Sequence, residues 1–180
     1  MARGPETWTG EKAELDRCRE APLADLVRHI VDTYHRDGRV ELARMETQAE
    51  EAALLEGRAC PQLVQVRDEV ERFCAQLRAH FRHEERTVFP ALMELADADG
   101  APVPEVLRDP LRLLHDEHES ADGLLQRIHQ LTEGFQAPPG AQAAQRSLFE
   151  TFQRLADSLR RHIYLENQVL FKRVLHHRTD

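Results

Sequence analysis

Apolar residues recur at steps of three and four along most of this chain, which is the period of an amphipathic helix. The pattern predicts a first helix over about 21–37 that stops at Gly38, and a second over about 39–56 that stops at Gly57. A third helix begins near Pro61, and Pro90 is expected to kink or break it. Two further stripes, over 107–128 and 148–159, predict the last two helices.

The segments between these stripes have the composition of loops. Residues 97–104 are rich in Pro, Gly and Asp, and residues 134–140 contain two adjacent prolines. No run alternates convincingly as a strand. The sequence therefore predicts an all-α fold, an up-down four-helix bundle over 21–177 with a short N-terminal extension over 1–20.

Composition narrows the class of protein. The 180 residues suit one domain, and no apolar run approaches the roughly 18 residues that a membrane span needs. Acidic residues outnumber basic ones by 32 to 24, which argues against a nucleic-acid partner. The N-terminus has no apolar core of a signal peptide, and the three cysteines show no metal-like spacing. We expect a cytoplasmic protein with reduced thiols and no membrane or nucleic-acid partner.

Two of the apolar stripes continue into a histidine and a glutamate without losing their phase. On the third helix the stripe passes from Leu77 to His80 and Glu84. On the last helix it reaches His162 and Glu166 in the same way. Residues four apart share one face of a helix, so each pair should project from the core-facing side.

Other stripes lead to single polar residues. His35 follows the first stripe, His118 lies on the fourth, and Glu56 is the next step of the second. A lone histidine of this kind is often a satisfied core residue, and a lone His-x-x-x-Glu is often a solvated pair. The joint pattern favours a bound cation or a pair of cations, because buried imidazoles and carboxylates without partners are costly. The alternative is a metal-free helical interaction protein with a polar network in its core.

The same residues carry a resemblance to a known family. The chain resembles a hemerythrin-like domain, most closely the repair-of-iron-centres type, from about Leu23 to Leu175. The motifs that carry the resemblance are Tyr34-His35-Arg36, His80-x-x-x-Glu84-Glu85 ending in Val88-Phe89-Pro90, Glu117-His118-Glu119, and His162-x-x-x-Glu166-Asn167 ending in Leu170-Phe171.

The resemblance implies an up-down four-helix bundle around a non-haem di-iron centre with an oxo or hydroxo bridge. It assigns His35 and His162 to one iron, His80 and His118 to the other, and Glu84 and Glu166 to both as bridges.

One position departs from the family pattern. The histidine expected from the second helix is absent, and Glu56 occupies the position that matches it best. A third carboxylate should lower the reduction potential of the centre and would make manganese at one position more plausible. Glu56 is therefore expected to be the seventh metal ligand.

The resemblance also implies a role in nitrosative or oxidative stress. Such a protein would protect or repair iron–sulfur centres, with a small diatomic ligand or peroxide and damaged iron–sulfur proteins as its partners. Two alternatives stay open: a module that binds or senses oxygen or nitric oxide reversibly, and a carboxylate-rich di-metal oxidase or peroxidase. Glu56 counts for the oxidase and against the reversible binder.

Overall fold

The described part of the chain folds into five helices. A computed structural model describes residues 5–97 and 105–176, and this part contains no strand, as predicted. Helix α1 is Pro5–Glu20, α2 spans 23–56, α3 spans 62–97, α4 is Glu105–Leu131, and α5 spans 143–176. None of the described helices has the length and apolarity to cross a membrane.

Three of the helices contain a π-helical turn, in which one extra residue is inserted into the α-helical ladder. Helix α2 is built from Leu23–His29, the π turn Ile30–His35, and Arg36–Glu56. Helix α3 consists of Gln62–His83, the π turn Glu84–Val88, and Phe89–Asp97. Helix α5 consists of Ala143–Tyr164, the π turn Leu165–Leu170, and Phe171–His176.

Gly38 does not end a helix, so the prediction of two separate helices over 21–56 is wrong. It is buried within the continuous helix α2. A Cβ atom at this position would lie 3.2 Å from Cε2 of Phe81 on α3, closer than ordinary van der Waals contact. The residue is therefore glycine because α2 and α3 approach each other closely, and the helix continues to Glu56 before Gly57.

Pro90 does not break α3 either, because the helix continues to Asp97. The proline directly follows the π turn Glu84–Val88, in which the Phe89 N–H already donates to the carbonyl oxygen of Glu84. The regular ladder is interrupted before the proline is reached. A residue without an N–H is thus placed where the α-helical bonding pattern has already changed.

Helices α2 to α5 form the bundle. Helix α2 packs against α3 and α5, and α3 packs against α4. The core is divided into two apolar clusters that the same four helices build at different levels. The Phe152 cluster is centred on Leu42, Met45, Phe73, Leu77, Ile128, Phe149 and Phe152. The Phe89 cluster is centred on Leu26, Ile30, Val88, Phe89, Leu114, Leu165 and Leu170.

Helix α1, which lies in the predicted N-terminal extension, packs onto the end of the bundle that holds the Phe89 cluster. Cys18 is buried in that cluster. Arg173 on α5 donates hydrogen bonds to the carbonyl oxygens of Cys18 and Ala21. Residues 98–104, most of the loop predicted over 97–104, lie outside the described residues.

Two glycine substitutions test the packing of α2 on α3. Gly38→Leu should destabilise the protein by about 1–3 kcal/mol, because the new side chain would overlap the ring of Phe81. The matched control is Gly123→Leu on α4, where nothing lies within 4 Å of the new Cβ. That variant should be stabilised by roughly 0.5–1 kcal/mol, since leucine is a better helix former than glycine. Denaturant unfolding measures both, and equal effects would contradict the packing account.

Candidate metal centre

Six of the seven sequence-predicted site residues come together in a single layer between the two apolar clusters. Helices α2 and α4 each contribute one histidine, and α3 and α5 each contribute a histidine and a glutamate four residues later. All six side chains are buried: His35, His80, Glu84, His118, His162 and Glu166. We call this set the polar layer.

One half of the polar layer, the first position, is built on His35 and His162. Their Nε2 atoms lie 3.1 Å apart. Nε2 of His35 is 3.3 Å from Oε2 of Glu84, and Nε2 of His162 is 2.7 Å from Oε1 of Glu166. One ligand atom from each of the four residues lies within 4.8 Å of all the others, which is a group that could hold a metal ion.

The other half, the second position, is built on His80 and His118 in the same way. Their Nε2 atoms lie 3.0 Å apart. Nε2 of His80 is 3.2 Å from Oε2 of Glu84, and Nε2 of His118 is 3.2 Å from Oε2 of Glu166. Glu84 and Glu166 therefore belong to both positions. Two positions that share two carboxylates are suited to hold two cations close together.

The donor atoms of the layer fit a pair of cations. Both carboxylate oxygens of Glu84 and Oε2 of Glu166 are buried without a hydrogen-bond partner among the described residues. An unpaired buried carboxylate lowers the stability of the folded protein by roughly several kcal/mol. A divalent ion at each position would satisfy these oxygens and the four converging imidazole nitrogens at once.

The pKa shifts within the polar layer also favour bound cations. Burial raises the pKa of Glu84 well above its usual range, and the neighbouring charge of Glu166 adds to the effect. Burial would also raise the pKa of Glu166, but the surrounding histidines, His162 above all, outweigh it and hold that pKa low. Burial lowers the pKa of His35, yet the neighbouring carboxylates of Glu166 and Glu84 outweigh this and raise it to about 9. The carboxylates thus depend on nearby positive charge, which bound cations would supply.

Two further glutamates, which the sequence patterns do not predict as site residues, contact ligand histidines at the nitrogen that faces away from the layer. Oε1 of Glu85 lies 2.8 Å from Nδ1 of His35, and Oε2 of Glu117 lies 2.8 Å from Nδ1 of His80. A carboxylate on Nδ1 fixes the ring so that Nε2 faces the metal. The signal in the sequence was adjacency: each of these residues neighbours a predicted ligand, Glu84 or His118.

Glu56 does not lie in the polar layer, which corrects the expectation that it is a metal ligand. Its two carboxylate oxygens accept hydrogen bonds from the backbone N–H groups of Gln142 and Gln145, each at 3.1 Å. These groups belong to the start of α5, so Glu56 acts as a cap for that helix. His35 lies 21 residues earlier on the same helix. At 1.5 Å per residue this puts the layer about 30 Å from Glu56 along the helix axis.

The comparison with known families agrees with this geometry. Residues 26–174 match the family model of the hemerythrin HHE cation binding domain. The chain belongs to the hemerythrin HHE family. This confirms the resemblance found in the sequence, and the matched range runs from the start of α2 to near the end of α5.

Three relatives of this chain have names that refer to iron–sulfur cluster repair. The iron-sulfur cluster repair protein DnrN of Neisseria gonorrhoeae is 31% identical over 160 residues, which cover 86% of this chain and 93% of that protein. The iron-sulfur cluster repair protein YtfE of Pectobacterium carotovorum is 29% identical over 172 residues, covering 94% of this chain and 74% of the relative. ScdA of Staphylococcus epidermidis, with the same description, is 27% identical over 153 residues, covering 84% and 66%.

Removing single side chains from the layer should remove metal in a fixed pattern. His118→Ala should lose about one of two bound ions per chain, because it disables one position. Glu84→Ala should lose most of both, because that residue serves both positions. His115→Ala is the control, since His115 is exposed and lies nearly one turn from His118. Elemental analysis of the purified variants decides this, and loss of metal from the control would contradict it.

Removal of the Glu56 side chain should change the stability of the protein and not its metal content. Glu56→Ala should lower the free energy of unfolding by about 1–2 kcal/mol, the usual effect of losing a helix cap. Its metal content should equal that of the wild type. Glu51→Ala, an exposed position on the same helix, controls for the removal of one charge and should be near neutral. A fall in bound metal in Glu56→Ala would restore Glu56 to the ligand set.

Proposed function

We propose that this chain holds two iron ions and supplies iron to damaged iron–sulfur clusters under nitrosative or oxidative stress. The observation that carries the proposal is the polar layer, in which Glu84 and Glu166 are shared by two buried groups of metal-binding side chains. It is supported by similarity over most of the chain to relatives named iron-sulfur cluster repair proteins. Damaged iron–sulfur proteins are the partners that this function requires.

The choice of iron rests on donor chemistry and on those relatives. Imidazole and carboxylate donors suit iron, manganese and zinc, and no cysteine belongs to either metal-binding group of the described residues. Without Glu56 the layer has four histidines and two glutamates. The argument for a lowered reduction potential and for manganese at one position rested on a third carboxylate, so it no longer applies. Iron bound here would supply one-electron redox chemistry and the capacity to bind small diatomic molecules.

The residues of the chain would balance the charge of the ions and orient the ligand rings. Glu84 and Glu166 would compensate the charge of both ions. Glu85 and Glu117 hold the rings of His35 and His80 so that Nε2 faces the layer. These contacts would keep iron bound in the cell until an acceptor is present.

A second candidate function is the binding of nitric oxide or oxygen at the same centre. It is favoured by the aromatic surroundings of the first position, where Phe81 stacks on His35 at 4.4 Å and Phe89 lies 5.7 Å from the same ring. An apolar wall suits a small uncharged gas. The carboxylate-rich oxidase or peroxidase loses the argument that favoured it, because Glu56 is remote from the layer.

The repair function is tested with an iron–sulfur enzyme that nitric oxide has inactivated. The iron-loaded protein should restore activity faster than the same concentration of free ferrous iron. Glu84→Ala should restore no more than free iron, whereas Glu119→Gln should behave as the wild type because Glu119 is exposed. Recovery no better than free iron with the wild-type protein would contradict repair. A spectrum that changes with gas and returns on degassing would then support the second candidate.

A further inference from the structure

The two metal positions have equivalent ligands but unequal surroundings. At the first position the ring of Phe81 stacks on His35 at 4.4 Å, and the ring of Tyr34 stacks on His162 at 5.5 Å, both nearly parallel. The side chain of His35 has no exposed surface. Both histidines of this position are therefore held between helices by broad ring contacts.

The carboxylate behind the first position is itself fixed by an arginine. Arg39 lies one turn after His35 on α2, and its guanidinium contacts both oxygens of Glu85 at 3.0 Å. The same guanidinium lies over the ring of Phe81, 5.5 Å from its centre. Arg39 thus touches two of the groups that hold His35, and we call Arg39, Glu85 and Phe81 the arginine clamp.

The second position has no equivalent of this clamp among the described residues. Besides His80, the ion-pair partner of the Glu117 carboxylate there is His83, at 3.6 Å. Glu117 and Glu85 are each about one-quarter exposed, so the two positions differ in the partner of this carboxylate and not in its burial. Nδ1 of His118 is buried with no described hydrogen-bond partner, so no second hydrogen bond orients that ring.

We propose that the ion at the second position is released before the ion at the first, and that the arginine clamp sets this order. The inference deepens the proposed function and rests on it, since it names the ion that the protein gives up. An ion leaves when its ligand side chains turn away. The rings of the first position are restrained by stacking and by a fixed carboxylate, whereas His118 lacks the second hydrogen bond that fixes a ligand ring. Arg39 and Glu85 are positioning residues, because they act through His35.

Iron release to a chelator tests the order directly. The protein is loaded with two ferrous ions without oxygen and mixed with an excess of a coloured ferrous chelator. The wild type should release its iron in two phases of equal amplitude. Glu85→Gln should accelerate the slow phase about tenfold, the lower end of the effect of losing such a contact to a ligand. Glu117→Gln should accelerate only the fast phase.

Two more variants keep the test decisive. Arg39→Gln should also accelerate the slow phase, which covers the case in which Glu85→Gln does not fold, as judged by helix content. Arg36→Gln is the matched control, because Arg36 lies on the same helix, is mostly exposed and, within residues 5–97 and 105–176, forms its ion pair with Asp37. It should leave both phases unchanged.

The results of the release assay and of the repair assay test the two proposals separately. A single release phase in the wild type overturns the inference, as does acceleration of the fast phase by Glu85→Gln or Arg39→Gln. The release assay needs no iron–sulfur enzyme, so its failure is distinct from failure of repair. Ordered release without recovery of a damaged enzyme would leave the inference standing and remove the proposed function. Recovery of the enzyme with single-phase release would overturn the inference and leave the proposed function standing.

Discussion

The structure depends on the burial of two carboxylates, Glu84 and Glu166, at the centre of a helical bundle. Neither side chain has exposed surface, and three of their four oxygens have no hydrogen-bond donor among the described residues. Such charges are stable inside a protein only when positive charge compensates them. Four imidazoles surround them, and a pair of cations would complete the compensation. Much of the fold can be understood as a means of holding this layer at one level.

The layer divides the core, and the helices change their geometry there. The Phe152 cluster lies on one side and the Phe89 cluster on the other. Each π turn contains a ligand residue: His35 ends one, Glu84 begins another, and Glu166 lies in the third. An inserted residue rotates the following side chains by about 100° around the helix axis. The apolar stripe can therefore return to the core beyond the layer while the ligand side chains face its centre.

The sequence predicted the polar layer better than it predicted the helices. Because His80 and Glu84, and again His162 and Glu166, follow apolar stripes in phase, their inward orientation could be inferred from spacing alone. The continuity of α2 could not, since it depends on a contact between Gly38 and Phe81, residues 43 positions apart in the sequence. The expectation for Glu56 rested on the apolar stripe of the predicted second helix and on the family pattern. The unbroken helix α2 instead carries Glu56 to the far end of the bundle.

The contacts around the ligand histidines could not be predicted from the periodicity of the sequence either. Glu85 and Glu117 lie off the apolar stripes, so periodicity treats them as solvated charges. Their role follows from contacts between neighbouring helices, which place the carboxylate of Glu85 against His35 and that of Glu117 against His80. The same tertiary arrangement makes the two positions unequal, because an arginine reaches Glu85 and a histidine reaches Glu117. Two positions with the same types of ligand thus lie in different environments.

The most direct test of this account is anomalous diffraction at the iron absorption edge from crystals of the iron-loaded protein. The account predicts two peaks of similar height, about 3.5–4 Å apart, between the carboxylates of Glu84 and Glu166. One peak should lie beside His35 and His162, and the other beside His80 and His118. A single peak, or a peak beside Glu56 at the other end of the bundle, would contradict it.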